Sequence, residues 1–312
     1  MKRRDFLKTS AAAGLAVLTF DKLQAALESN SIMVETAAST PDLVAVMGGE
    51  PAQLLQRALQ ELGGIEKYVK KGQTVVIKPN IGWDKKPEFA ATTNPELVGE
   101  LVRLCKQAGA KEIFVFDNTC DNPTKCYTSS GIKAAAEAAG AKMLPGNDAS
   151  YYKDVKLPQG VKMKAGKIHQ AILDADVWFN VPILKNHDGA NMSIAMKNYM
   201  GIFWDRMYFH NNDLQQCIAD ACTYSKKPAL NIIDSYRCLR THGPQGRSRN
   251  DASTLKAIVV SPDIVAADTA AMGLFNQVQE MDIKKVGHIA NGEKLKLGTQ
   301  NLSSLDVKRI KL

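Results

Sequence analysis

The feature of this sequence that most restricts its fold is a phrase that occurs twice. Ala108-Gly109-Ala110-Lys111 and Ala139-Gly140-Ala141-Lys142 each close a helix-like segment with a glycine stop. Before the first copy, Thr93 suits a helix cap with Glu96 three residues on, and Pro95 suits the first turn. Leu97, Leu101 and Leu104 then recur at helical spacing, Gly109 ends the helix, and 113–117 is a β-rich run. The second copy starts its helix at Ser130-Gly131. Helix, glycine stop and strand, repeated, predict an α/β fold with a mostly parallel sheet flanked by helices.

The rest of the chain extends this grammar. Strands are expected at 43–47, 74–78, 176–181, 229–234 and 255–260. Helices are expected from Pro51 to about residue 62 and from Pro262-Asp263 through Met272, with a short helix inside 287–297. These segments define a single α/β domain over 42–312; if it is bilobed, the boundary falls in the loops at 145–170.

Residues 1–30 stand outside this pattern. Lys2-Arg3-Arg4-Asp5-Phe6-Leu7-Lys8 is a basic stretch with paired arginines, and 9–20 is an apolar run of small residues. The run is shorter than the ~20 residues a bilayer span needs. Basic, apolar and small-residue regions in that order form a signal peptide of the twin-arginine type, with cleavage near Ala25 or Ala26. The implied partner is the twin-arginine export machinery, and the implied location is periplasmic or otherwise exported. Substrates of this route cross folded, often with a cofactor in place, so a bound metal or redox group enters as an expectation. No later segment is apolar and long enough for a membrane span. The whole chain carries a net charge of +8; the part through Ala25 holds five basic and two acidic residues, which leaves +5 for the mature chain. Its lysines are scattered, with no basic stripe interleaved with aromatics, which argues against nucleic acid. The mild positive bias suits a small anionic ligand.

In open parallel sheets, ligands bind beyond the carboxyl ends of the strands. Four expected strand ends deliver polar groups: Lys78 and Asn80, Asp117, Lys185 with His187, and Asp234. The densest stretch joins Lys185, Asn186 and His187 to Ser193, Lys197 and Asn198. A helix starting near 191–193 would aim unpaired N–H groups at the same place and favour an anion. In that arrangement Lys78, Lys185 and Lys197 bind charge and Asn80, Ser193 and Asn198 orient the substrate. His187, with His210, moves protons. Asp117 and Asp234 orient a base or hold a metal. His210 follows the aromatic stretch 203–209, which fits a pocket cover, a dimer contact or core. His169 and His288 read as structural, and His242 sits on a turn.

Standard nucleotide loops, the Gly-x-Ser-x-Gly elbow and His-Glu-x-x-His are absent from the sequence. Its six cysteines, Cys105, Cys120, Cys126, Cys217, Cys222 and Cys238, form no Cys-x-x-Cys pair. Cys120 and Cys126 flank a short loop and suit a disulfide in an oxidising compartment; a cluster joining them to distant cysteines is the alternative.

Several of these motifs together resemble the bacterial and archaeal family of domain of unknown function 362. The resemblance rests on Lys78-Pro79-Asn80, Thr92-Thr93-Asn94-Pro95-Glu96, Val181-Pro182 with Lys185-x-His187, Ser193 with Lys197-Asn198-x-Met200-Gly201, and Ser261-Pro262-Asp263 with Val265-Ala266-x-Asp268. It covers most of the mature chain. Many relatives carry a ferredoxin-like insert with two cysteine runs and bear an iron–sulfur label; this chain lacks the insert, so the label does not transfer. Three readings stay open: an enzyme acting on a small anionic substrate, a metal or iron–sulfur redox protein, and a non-catalytic periplasmic binding protein.

Overall fold

The computed structural model describes residues 40–312, so the signal peptide lies outside the described residues. In chain order, its first elements are β1 (Leu43–Met47), α1 (Pro51–Glu61), β2 (Thr74–Pro79), α2 (Pro95–Gln107) and β3 (Glu112–Val115). Next come α3 (Pro123–Ser129), α4 (Ile132–Ala139), β4 (Lys142–Met143), β5 (Tyr152–Lys156), β6 (Ala165–His169) and α5 (Gln170–Asp174). The middle holds β7 (Val177–Val181), β8 (Ile183–His187), β9 (Asn191–Ser193), α6 (Ala195–Asn198), α7 (Arg206–Asn211) and α8 (Leu214–Ala221). The chain continues through β10 (Leu230–Leu239), β11 (Ala252–Ser261), α9 (Ile264–Phe275), α10 (Gly287–Lys294) and β12 (Val307–Lys311). Short 3-10 turns fill several connections.

The main sheet runs β12-β1-β11-β10-β7-β2-β3-β4, with β8 also beside β10 and β9 beside β8. The twice-written phrase builds its parallel half: α2 and α4 are the crossovers that place β3 parallel beside β2 and β4 parallel beside β3. Period-two alternation then assigns the faces. Val75 and Ile77 of β2, with Phe179 and Val181 of β7, join the apolar layer under α1, α2 and α4. Val76 and Trp178 join the opposite layer, with α6, α8, α9 and α10. The sheet is thus mostly parallel and covered by helices on both faces.

Three local readings change. The strand at 252–261 runs antiparallel to both β10 and β1, because its link to β10 is a loop and a 3-10 turn rather than a crossover helix. The cap of α2 is Asn94, whose Oδ1 accepts from Glu96 N at 2.9 Å. Thr93 instead joins two strand ends, accepting from Asn80 N and donating to Val181 O. Residues 145–170 carry the antiparallel ribbon β5–β6 inside the one compact unit Thr40–Leu312. Asp220 ties that ribbon's connecting turn down by accepting from the backbone N–H of Val161, Lys162 and Met163.

A fourth change reaches the site. The helix start expected near 191–193 is a strand, β9, paired antiparallel with β8. The helix that follows, α6, begins at Ala195, and its first N–H groups are already taken. Asp268 of α9 accepts from Ala195 N at 2.7 Å and Met196 N at 3.1 Å. Its carboxylate is fully buried, and burial pushes its pKa up to about 7 against the pull of those two donors. The protein's own carboxylate therefore occupies the place assigned to a ligand anion. Asp268→Ala should leave two buried N–H groups without acceptors and lower stability by about 2–5 kcal/mol. Urea unfolding checks this, and an unchanged midpoint would overturn the role given to Asp268.

Candidate functional site

A row of polar side chains crosses the middle of an otherwise apolar sheet. Lys78 on β2 lies in register with Asn180 on β7, which lies in register with Asn231 on β10, which in turn faces Ser261 on β11. All four are at most 1% exposed. Buried amides need partners, and these find them in one another. Asn180 Nδ2 donates to Asn231 Oδ1 at 2.9 Å and to Ala195 O, and Asn231 Nδ2 donates to Ser261 O. Asn198 closes the row from α6: its Nδ2 donates to Asn180 Oδ1 at 2.9 Å and to Lys78 O, while its Oδ1 accepts from Lys78 Nζ at 2.7 Å.

Lys78 Nζ also meets Asp117 Oδ1 at 2.8 Å, as a charge contact rather than an aligned hydrogen bond. The other Asp117 oxygen accepts from Ile81 N at 2.7 Å, and Tyr127 Oη bonds the Asp117 backbone. Burial draws the Lys78 pKa down, and Asp117 opposes that pull. Gly201 packs against this pair, where an added Cβ would fall 2.0 Å from Asp117 Oδ1 and 2.4 Å from Lys78 Nζ.

Beside the row opens a cavity of about 670 Å³. Its wall includes Lys78, Asn80, Asp117, Lys185, His187, Ser193, Lys197, Asn198 and His210. Lys185 and His187 lie within β8 rather than beyond a strand end; the chain turns at Pro182 and runs on beside β10. Lys185 Nζ donates to Ala91 O at 2.5 Å and to Asn80 Oδ1 at 3.2 Å, and Asn80 Nδ2 reaches Asn198 Oδ1. Lys197 Nζ has Met200 Sδ at 3.4 Å. No carboxylate lies within ion-pair distance of Lys185 or Lys197 among the described residues. Burial, the largest influence on each, lowers Lys185 to about 7 and Lys197 to about 8.

His187 is buried on the cavity wall. Its Nδ1 accepts from Ala190 N at 3.2 Å, which leaves the proton of the neutral ring on Nε2. Burial, then Lys197 and Lys185, lower its pKa to about 2, so the ring stays neutral at physiological pH. His210 is exposed at the rim, its pKa lowered by burial and by Lys197.

Asp234 stands apart from this group. Its carboxylate accepts from Asn94 N and Tyr236 N and anchors the start of α2, and it is absent from the cavity wall. Asp117 is committed to Lys78 and to Ile81 N. Among the described residues, no three His, Cys, Asp or Glu side chains gather at metal-binding distance. The Asp117–Asp234 metal site is therefore not assembled, and neither is a cysteine cluster. All six cysteines are free; Cys126 is buried in the core, while Cys120 is exposed on the cavity wall. His169 caps α5 and stacks on Phe116, His288 bonds Gln215, and His242 bonds Asp251.

Sequence reasoning did not single out Asn180, Asn231 or Arg206. Arg206, at the start of α7, donates to Asn118 O at 2.9 Å, Thr119 O at 2.6 Å and Cys120 Sγ at 2.8 Å. Asparagines inside the apolar runs Val177-Trp178-Phe179-Asn180-Val181 and Leu230-Asn231-Ile232-Ile233 were the available signal.

The fold and cavity define an α/β protein with a lysine- and amide-lined site along one face of its sheet. Residues 75–273 match the family described as Domain of unknown function (DUF362), and the chain belongs to that family. Residues 1–20 match the twin-arginine translocation pathway signal sequence, which marks the chain for export by that machinery. Among the described residues, no helix is long and apolar enough to cross a membrane. The chain is 23% identical over 251 residues to a thylakoid-associated protein of Synechocystis sp., covering 78% of this chain and 74% of that one. The lactate racemase apoprotein from Thermoanaerobacterium thermosaccharolyticum aligns over 71% of this chain with a TM-score of 0.46 and 12% identity. This chain spans about half, 54%, of that protein's length.

Gly201→Ala should force the Lys78–Asp117 pair apart and destabilise the fold by at least ~2 kcal/mol. Chemical denaturation measures it, and a variant as stable as the parent would show that the pair has room to shift.

Proposed function

We propose that the exported chain is an enzyme acting on a small anionic molecule, a carboxylate or phosphate, held in this cavity by Lys185 and Lys197. The observation that carries the reading is a pair of buried ammonium groups on one cavity with no carboxylate against either. An unpaired buried charge is costly, and a ligand anion offsets that cost. Asp117 does not serve, because it is committed to Lys78. The backbone at the start of α6 does not serve either, because Asp268 holds it.

Proton transfer then falls to a lysine rather than to the histidine. Lys185, at about 7, exchanges its proton in the range where an acid–base group is most effective. His187, on the cavity wall with its proton on Nε2, is a neutral donor suited to polarising a carbonyl or phosphoryl oxygen. Asn80 orients Lys185, and Ser193, on the strand paired with β8, offers a hydroxyl beside it.

The pH dependence has a definite sign. Both lysine pKa values lie below the ordinary ~10.4, so their cost is absent at high pH and grows as pH falls through that range toward 8 and 7. Lys197→Met should therefore raise the melting temperature of the ligand-free protein at pH 7 by about 2–4 °C, and the gain should fade toward pH 10. A bound anion favours the charged lysines, so binding takes up protons and weakens as pH rises past 8. Thermal shift with panels of small carboxylates and phosphates should find anions that stabilise the parent, by about 2.7 kcal/mol at a hundredfold excess over Kd. Lys197→Met and Lys185→Met should lose most of that shift. An anion shift that both variants retain would overturn the site. Stabilisation without turnover would leave a binding protein.

A further inference from the structure

We propose that Cys120 is the nucleophile of this cavity and that it attacks an electrophilic carbon close to the anionic group of the bound molecule. The inference rests on the anion reading above and adds a substrate class to it: a small anion that carries a carbonyl. Three observations lead there. Cys120 is the one cysteine of the six that is exposed; the other five are buried. Its Sγ lies on the cavity wall with Arg206 Nη1 at 2.8 Å, a donor that favours electron density on the sulfur. Arg206 is itself held by the Asn118 and Thr119 carbonyls, so the guanidinium is fixed in place.

The second observation is the glycine beside the sulfur. A Cβ added at Gly82 would lie 3.6 Å from both Cys120 Sγ and Asn80 Oδ1. The sulfur and the amide that orients Lys185 thus both lie near Gly82 on the cavity wall. Backbone bonds from Cys120 N and Asp121 N to Gly82 O hold the two segments together.

The third observation points to a ligand independently of the cysteine. Lys197 and Ser193, both at least nine-tenths buried, line the same cavity. Lys197 has only a thioether against its ammonium, and the Ser193 hydroxyl has no hydrogen-bond partner among the described residues. An anion on these groups would present its neighbouring carbon to the same cavity that holds Cys120.

The step is an addition. The sulfur electron pair forms an S–C bond, and the carbonyl π pair moves onto oxygen. That oxygen takes up a proton, replacing the one lost from sulfur. Nothing is oxidised or reduced, no group leaves, and the adduct reverses by the same path.

Two alkylating probes of nearly equal size test the assignment on the mature protein: anionic iodoacetate and neutral iodoacetamide. Each forms an S–C bond and releases iodide, and mass spectrometry locates the label. Simple thiols prefer the neutral reagent. Here the label should fall on Cys120, and iodoacetate should outpace iodoacetamide on the order of tenfold, the scale of electrostatic focusing in a cationic cleft. Lys197→Met should slow iodoacetate more than iodoacetamide and so remove that preference, and Arg206→Gln should slow both reagents. Cys120→Ser should abolish labelling and keep the thermal shift given by small anions. A parent protein that reacts as slowly as a buried thiol, or prefers iodoacetamide, while Cys120→Ser still shows the anion shift, overturns the nucleophile and spares the anion site. Loss of the anion shift as well overturns both.

Discussion

The Lys78–Asp117 contact is the interaction on which the rest of the site depends. A lysine on a central strand, 1% exposed, is tolerable only with a fixed counter-charge and acceptors for its remaining protons. Asp117 provides the charge and Asn198 the acceptor. Each then needs its own support. Asn198 has to be presented by a helix whose first turn is held in place, which Asp268 does. Its amide N–H groups need acceptors, which Lys78 O and Asn180 provide, and Asn180 in turn requires Asn231. Asp117 needs Ile81 N and a rigid strand end, which Tyr127 secures. Gly201 has to be a glycine because this cluster leaves no volume for a side chain. One buried ion pair thus determines residues on three strands, three helices and three connecting segments.

This network separates charge that is satisfied from charge that is not. Lys78 and Lys185 lie on adjoining parts of the sheet and are equally buried, yet their surroundings differ. Lys78 has a carboxylate; Lys185 has a backbone carbonyl and an amide oxygen, both neutral. Neutral acceptors satisfy an ammonium's hydrogen bonds and leave its charge uncompensated. The same holds for Lys197, whose contact is a sulfur. Burial first, and then the nearby Lys197 and Lys185, hold the His187 pKa down, although the exposed Asp188 carboxylate lies 3.2 Å from its Nδ1.

Much of the architecture was readable from the chain, and the reasons are specific. The phrases at 108–111 and 139–142 predict crossovers because a glycine stop after an amphipathic helix leads back into the sheet, and β3 and β4 form there. β11 escapes this logic: its antiparallel direction is set by the loop at 240–251, and that segment holds no helix to infer direction from. The cavity was legible where polar residues follow apolar runs, as at Lys78, Asn80 and Asp117. Asn180 and Asn231 lay inside such runs and so passed as strand filler. Asp234 shows the opposite error. It follows a strand as Asp117 does, but β10 continues to Leu239, so a carboxylate expected at a strand end sits in mid-strand and binds backbone. A single sequence shows that a polar residue follows an apolar run; only strand length and pairing decide which side of the sheet it serves.

Asp268 and the pair Lys185–Lys197 illustrate how one fold assigns similar electrostatic features to different tasks. The start of α6 looks from sequence like a ready anion site, since a serine and lysines cluster around a helix N-terminus. The fold gives that N-terminus an internal carboxylate from α9, and α6 is thereby fixed against the sheet. Had Asp268 been apolar, the backbone donors would have needed an outside anion, and the position of Lys197 would have varied with its occupancy. Because the donors are satisfied internally, Lys197 is held in position before anything binds, and the positive charge left over points into the cavity. On the proposed reading, a ligand anion would be met by side chains whose protonation responds to pH and to charge, while the backbone polarity at the start of α6 is already used by Asp268.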